Sequence, residues 1–446
     1  MPYQKIDGLD LTYALISFDE DGRERTDDPQ GGQFSKALVE KARQDRPTDI
    51  FLFSHGWKGD MTAAIDQYNR WIGAMWRLTA DRAAMGADFK PLFIGLHWPS
   101  LPFGMESQSN GTSFAAGGAP VVDIDTQVAS ALPQFGDKPG VREALTVIFT
   151  AQREHPGAFT APPEVVAAYQ DLAKAIGFSA GGGAGASPDT EGAPLNPQKA
   201  IQANRTSASF GTSGGGGALG GLLGGLRQLS FWTMKKRART VGEQGMHQFV
   251  GALQQACTAR IHLMGHSFGC IVVSSILGGP NAAAKLPRPV DSAALVQGAL
   301  SLWSYADHIK DSTDPGYFKP VLTNGCISGP IVTTQSTNDL AVKIYYPAAV
   351  FLVHESAFGA ADAVEFPLYG GVGVFGIQGT AISQAVPMGD EKTAYDFKPG
   401  AIYNLESSSY IKKMDGASGA HNDIDGPQVA HALWQAAMPA KKAAQA

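Results

Sequence analysis

Residues 260–277 read RIHLMGHSFGCIVVSSIL, and the fold turns on how that stretch divides. Arg260 to Met264 is a short apolar run of strand character. Phe268 to Leu277 reads as an apolar helix despite its β-branched residues. Between them stands the pentapeptide Gly265, His266, Ser267, Phe268, Gly269, a G-x-S-x-G pattern. Strand before and helix after is the context that pattern requires. The turn must be very tight, with Ser267 in a strained backbone conformation and its Oγ exposed. Glycine at 265 and 269 lets neighbouring backbone approach without a Cβ clash. The helix N-terminus that follows supplies oriented N–H groups and a positive dipole end.

Working outward, the same alternation recurs. Strand candidates are Leu11 to Phe18, Asp49 to Ser54 and Pro91 to His97 before the pentapeptide. Ser292 to Val296, Pro330 to Thr334 and Ala401 to Leu405 follow it. Helices are expected at Thr62 to Ala84, Val241 to Gln255 and Gln428 to Ala437. Repeated β-then-α units imply an α/β fold with a mostly parallel sheet covered on both faces. Two patches rich in Gly, Ala and Ser, Ser107 to Pro120 and Phe178 to Leu226, read as loop or flexible insertion. The expected division is a core of residues 1–100 and 240–446, interrupted by a Gly-rich lid or cap at 101–239. Leucines spaced by glycines near 218–226, beside Phe231 and Trp232, suggest an apolar lid over Ser267.

Composition narrows the function. The chain has 446 residues, 44% hydrophobic and 17% charged, with net charge −6. That balance argues against global disorder and against a general nucleic-acid binder. Three cysteines without a CxxC pair argue against a disulfide framework or a structural zinc site and fit a reducing compartment. The N-terminus lacks the apolar core of a secretory signal, and no run of about 18 apolar residues is present. A cytoplasmic chain with no transmembrane segment is therefore expected.

Three further segments carry candidate chemistry. His55, Gly56 and Trp57 directly follow the strand Asp49 to Ser54. Asp339 lies in a loop just past the strand Pro330 to Thr334, at an edge where ligand sites gather in open α/β sheets. A helix N-cap is the structural alternative for Asp339. His421 sits between the last strand and the last helix; His354, after an apolar run, is the less favoured base. Asp423 and Asp425 flank His421 too closely to orient it and are read as loop or cap residues. Asp311 and Asp314 are read as solvent-facing.

Together with the pentapeptide, these segments resemble the serine esterases and lipases of the α/β-hydrolase superfamily. The resemblance covers roughly Leu11 to Ser100 and Val241 to Trp434. It implies a nucleophile elbow at Gly265, His266 and Gly269, with Ser267 as nucleophile, His421 as base and Asp339 as the acid orienting it. The implied oxyanion hole is the N–H pair of Trp57 and Phe268, supported by His55 and Gly56, each donor worth roughly 2.7–4 kcal/mol in the transition state. Residues 97–100 (HWPS) and 231–239 (FWTMKKRAR) are similar to segments of poorly characterised bacterial serine-esterase-like proteins.

The implied reaction is hydrolysis of a small-molecule or lipid-like carboxylic ester through an acyl-enzyme, without metal or organic cofactor. A phospholipase or polyester depolymerase on the same triad stays open, as does a non-catalytic interaction module on the same fold. The basic run Lys235, Lys236, Arg237 and Arg239 reads either as a contact with anionic lipid or a substrate carboxylate, or as the commoner solvated helix face. Residues 371–379 (GVGVFGIQG) are glycine-rich, but their spacing does not fit a dinucleotide loop.

Overall fold

The order of strands along the chain is not their order in space. In the computed structural model, which describes residues 2–27, 34–57, 60–101, 103, 123–178, 182–191, 195–206, 221–347 and 366–439, nine strands form one sheet. They are β1 (Tyr3–Lys5), β2 (Thr12–Ser17), β3 (Asp49–Ser54), β4 (Pro91–His97), β5 (Arg260–His266), β6 (Ser292–Val296), β7 (Ile331–Gln335), β8 (Ser383–Pro387) and β9 (Ile402–Glu406). Their spatial order is β1-β2-β4-β3-β5-β6-β7-β9-β8. Every pairing is parallel except β1 with β2. The expected mixed α/β class with a mostly parallel sheet is what forms. The two strands without a sequence signal, β1 and β8, are the edge strands, short and half exposed.

Central strands are buried along their whole length, which is why β3 and β6 read as unbroken apolar runs rather than alternating ones. One face is covered by α1 (Phe34–Asp45) and by helices around the elbow; the other packs on α2 (Met61–Arg77). Helix α2 starts where Asp60 Oδ1 accepts the Ala63 N–H at 2.7 Å and buries Tyr68, Trp71, Ile72 and Met75 on one stripe. The single helix expected to Ala84 breaks at Leu78, whose ψ of 79° is not helical. Past the break, the buried Asp81 meets His431 at 2.8 Å on the C-terminal helix.

Between the sheet halves lie α3 (Ile124–Phe135), α4 (Val141–Glu154), α5 (Pro163–Ala175), α6 (Pro197–Thr206) and α7 (Gly224–Val241). Described residues between Phe103 and Leu229 form a core of their own, including Leu145, Ile148, Tyr169 and Leu172. Leu222, Leu223 and Leu226 are buried in that core, so this part of the second glycine-rich patch is packed structure and not bare loop. Residues 107–120 and 207–220 lie outside the described residues. Helix α7 crosses from this core into the sheet's core at Phe231 and Trp232. It continues through a π turn, Gly242–Met246, into α8 (His247–Ala256). The expected boundary at 239/240 therefore falls inside one helical run.

The basic run on α7 is not a solvated face. Lys235 is fully buried, with its Nζ 2.8 Å from Glu191 Oε2 and above the rings of Trp232 and Tyr346. Arg239 grips both oxygens of Asp189 and also pairs with Glu243. Arg237 is buried, and Lys236 donates to the Ile176 carbonyl. Lys235 and Arg239 hold residues 182–191 onto α7 through Glu191 and Asp189, while Lys236 and Arg237 donate to the Ile176 and Pro99 carbonyls, which withdraws the run from contact with lipid heads. Burial pulls the Lys235 ammonium below its ordinary range while Glu191 opposes the shift. Lys235→Met is expected to cost about 3–5 kcal/mol in urea unfolding, because a carboxylate is left buried without its cation. The double variant with Glu191→Leu is expected to regain most of that loss. A single variant as stable as the parent would show that the pair is not desolvated.

Candidate active site

Parallel strands bring their C-terminal ends to one edge, and the register decides which loops meet there. Ser54 of β3 lies opposite Gly265 of β5, so His55 and Gly56 leave the sheet beside Ser267. His266 lies opposite Val296 at the end of β6, and β7 and β9 follow in order. Ser267, His55, Gly56, Trp57, Asp339 and His421 all follow strand ends at this edge. The other base candidate, His354, lies outside the described residues.

Ser267 links β5 to α9 (Gly269–Gly278) with φ 56°, in the left-handed region that non-glycine residues seldom occupy. Such a conformation costs roughly 1–3 kcal/mol and persists only where surrounding structure over-determines it. Here the Ser267 N–H donates to Val296 O and the Ser267 carbonyl accepts from Ala299, each at 3.1 Å. A Cβ on Gly265 would stand 2.4 Å from the Gly269 carbonyl oxygen, and one on Gly269 would stand 2.2 Å from that of Ser54. Both flanking glycines are thus demanded by backbone contact. Gly56 is as constrained: its Cβ would fall 2.4 Å from that of Ser267.

The turn at His55 and Gly56 is moulded by residues 97–100. The Trp98 N–H donates to His55 Nε2 at 3.3 Å and its indole N–H donates to the His55 carbonyl at 3.2 Å. His55 Nδ1–H donates to Gly56 O at 2.9 Å, and Ser100 Oγ donates to the same carbonyl at 3.0 Å. The imidazole stacks flat on Trp98, and Tyr68 Oη accepts the His55 N–H. Burial, with His97 adding, pushes the His55 imidazole down to about 3, so it stays neutral and keeps this pattern. Among the described residues, neither the Trp57 nor the Phe268 N–H donates to a backbone carbonyl.

Asp339 is fully buried, with hydrogen bonds on both carboxylate oxygens. Its Oδ1 accepts the Val342 N–H at 2.9 Å, an N-cap contact. Its Oδ2 accepts from His421 Nδ1 at 2.7 Å and from Gln297 Nε2 at 2.8 Å. The His421 loop is fixed on two sides. Ala420 N–H donates to Asn338 O, next to Asp339, and His266 Nε2–H donates to the His421 carbonyl at 2.9 Å. Gln67 holds the other ring nitrogen of His266 at 3.1 Å, and burial drives His266 well below the ordinary histidine range. His266 is therefore a neutral tie between the elbow and the His421 loop, with its ring 4.8 Å from that of His421. Asp423 accepts the Lys412 and Lys413 N–H groups and Asp425 pairs with Arg70, both structural duties. Asp311 and Asp314 are exposed.

Three participants carry little signal in the sequence. Tyr68 and Gln67 lie on α2, where they read as ordinary helix residues. Gln297 directly follows the strand Ser292 to Val296, and a polar residue at that edge is the one available signal.

Comparisons with protein-family models, with curated proteins and with solved structures return no match for this chain. Among the described residues, no helix is long and apolar enough to cross a membrane, and no group of His, Cys, Asp and Glu is arranged to hold a metal ion.

Proposed function

We propose that this chain is a cytoplasmic serine hydrolase of the α/β-hydrolase type that cleaves carboxylic esters through an acyl-enzyme. The observation that carries the reading is the left-handed Ser267 at the C-terminal end of β5, tied through His266 to a loop whose His421 is held by Asp339. Ser267 Oγ attacks the acyl carbon and His421 takes its proton at Nε2. Asp339 fixes the tautomer by accepting from Nδ1 and stabilises the imidazolium. The N–H groups of Trp57 and Phe268 receive the developing oxyanion. His421 then protonates the leaving alkoxide, and water attacks the acyl carbon to release the acid and restore Ser267.

An apolar acyl pocket is supported by Phe231, whose ring lies 5.2 Å from Phe268 and 5.7 Å from Trp57. Because Phe231 belongs to α7, residues 101–239 act in this reading as a cap over the acyl side.

The test is labelling with a fluorophosphonate and mapping of the modified peptide, expected at Ser267. An ester series from acetate to octanoate is expected to raise kcat/KM roughly fourfold per methylene until the pocket ends, from about 0.8 kcal/mol per buried CH2. Absence of label at Ser267 overturns the hydrolase reading. A flat series removes the apolar pocket alone.

A further inference from the structure

Gln297 has more contacts than a strand-end residue needs. It is fully buried and lies in the left-handed region, with φ 46°. Glutamine gains nothing from that conformation, so neighbouring contacts must hold it there. Its N–H donates to Thr334 Oγ1 at 2.9 Å, and its Oε1 accepts from that same hydroxyl at 2.9 Å. Its Nε2 faces Gly373 O at 3.2 Å and Asp339 Oδ2 at 2.8 Å. A carbonyl and a carboxylate can only accept, so the amide orientation is fixed without ambiguity. Val296, directly before it, and Ala299, two residues after it, make two of the backbone bonds that hold Ser267.

We infer that Gln297 is a positioning residue that locks the Asp339 carboxylate toward His421 and ties it to the nucleophile elbow. Asp339 Oδ2 has two donors at once, His421 Nδ1 and Gln297 Nε2, while Oδ1 is held by Val342. With Gln297 in place the carboxylate cannot rotate without breaking a charge-assisted bond on each oxygen. The titratable groups facing this pair are His421 from the loop after β9 and, behind it, the neutral His266 of the elbow. Gln297 and Thr334 are uncharged neighbours on the β6 and β7 sides.

The inference deepens the hydrolase reading and rests on it for its kinetic consequences, so the experiment has one readout that does not use activity. Gln297→Leu is expected to lower kcat/KM roughly ten- to a hundredfold, the worth of one hydrogen bond to a charged group. Gln297→Glu keeps the side-chain length and is expected to acquire an alkaline limb in kcat/KM that the parent lacks. Two carboxyls at this spacing share one proton. The introduced carboxyl donates to Asp339 while that proton stays and repels Asp339 once it leaves. A merely structural role would scale the whole profile without adding a limb. In parallel, the low-field proton resonance of His421 Nδ1–H is recorded by NMR in each variant and is expected to move. Thr334→Val, which removes the hydroxyl that anchors Gln297, is expected to move it too and replaces Gln297→Leu if that variant does not fold. An active parent whose variants keep both profile and resonance overturns the positioning role and leaves the hydrolase reading intact. A parent with no labelling and no turnover, whose His421 resonance still responds to Gln297, overturns the hydrolase reading while the positioning role stands.

Discussion

Ser267→Ala and His421→Ala are each expected to lower kcat by about 10⁴- to 10⁶-fold, and the double variant by little more than either alone. The reason is that in the proposed mechanism the two side chains perform one step. Without Oγ that mechanism forms no acyl-enzyme, so a competent base has nothing to activate. Without the imidazole, the hydroxyl remains a weak nucleophile at its free pKa. Asp339→Asn is expected to cost as much or less, about 10⁴-fold, because an amide presents a donor to Nδ1 and favours the wrong tautomer. In this chain the change has a second consequence: the replacement must also coexist with the Gln297 amide donor at the same position. The measurement is single-turnover kinetics with an activated ester, after circular dichroism has shown each variant folded. Fluorophosphonate labelling is expected to vanish in Ser267→Ala and to slow sharply in His421→Ala. Losses that multiply in the double variant would mean that Ser267 and His421 do not act as a unit. Full turnover by His421→Ala with loss in His354→Ala would move the base to residue 354.

How much of this is legible in the sequence follows from the range of the interactions involved. The elbow is local: its glycines, its serine and its flanking strand and helix are contiguous in the chain, and each constraint is a backbone contact that only certain residue types satisfy. Asp339 and His421 are legible from their places after β7 and β9, since an edge position in a parallel sheet is a local property too. The mixed α/β class follows from apolar runs whose length and punctuation mark buried strands. The partners of the basic run are not legible. Lys235 meets a carboxylate 44 residues away and Arg239 one that is 50 residues away, and nothing in charge spacing along a helix says which cations will be desolvated. Gln297 is hidden for the same reason, its carboxylate partner lying 42 residues further on. One duty of the glycines at 371–379 is steric and equally long-range. A Cβ on Gly373 would come within 2.8 Å of the Gln297 backbone, so the segment can pack behind Gln297 and Asp339 only without a side chain there.

Gly56→Ala is expected to lower kcat by about 10²- to 10³-fold with little change in KM. The added methyl would sit 2.4 Å from Ser267 Cβ and 2.9 Å from the His266 carbonyl oxygen. Neither atom can swing aside, since the elbow is fixed by Val296 and Ala299 and its own φ leaves no slack. The turn at His55 and Gly56 must retreat instead, and its retreat carries the Trp57 N–H away from the place where, in the proposed mechanism, an oxyanion develops. An oxyanion donor is worth roughly 10²–10³ in kcat, and a displacement of about 1 Å is enough to forfeit most of it. Binding of the ground-state ester does not use that donor to the same degree, so KM is spared. The retreat is resisted by the bonds from Trp98 and Ser100 to His55 and Gly56, so a fall in melting temperature should accompany the loss of rate. Gly183→Ala is the control, because a Cβ there meets nothing within 4 Å. Wild-type kcat in a folded Gly56→Ala variant would show that the segment after β3 does not serve the oxyanion, and the second donor would then have to be sought on another loop at the same sheet edge.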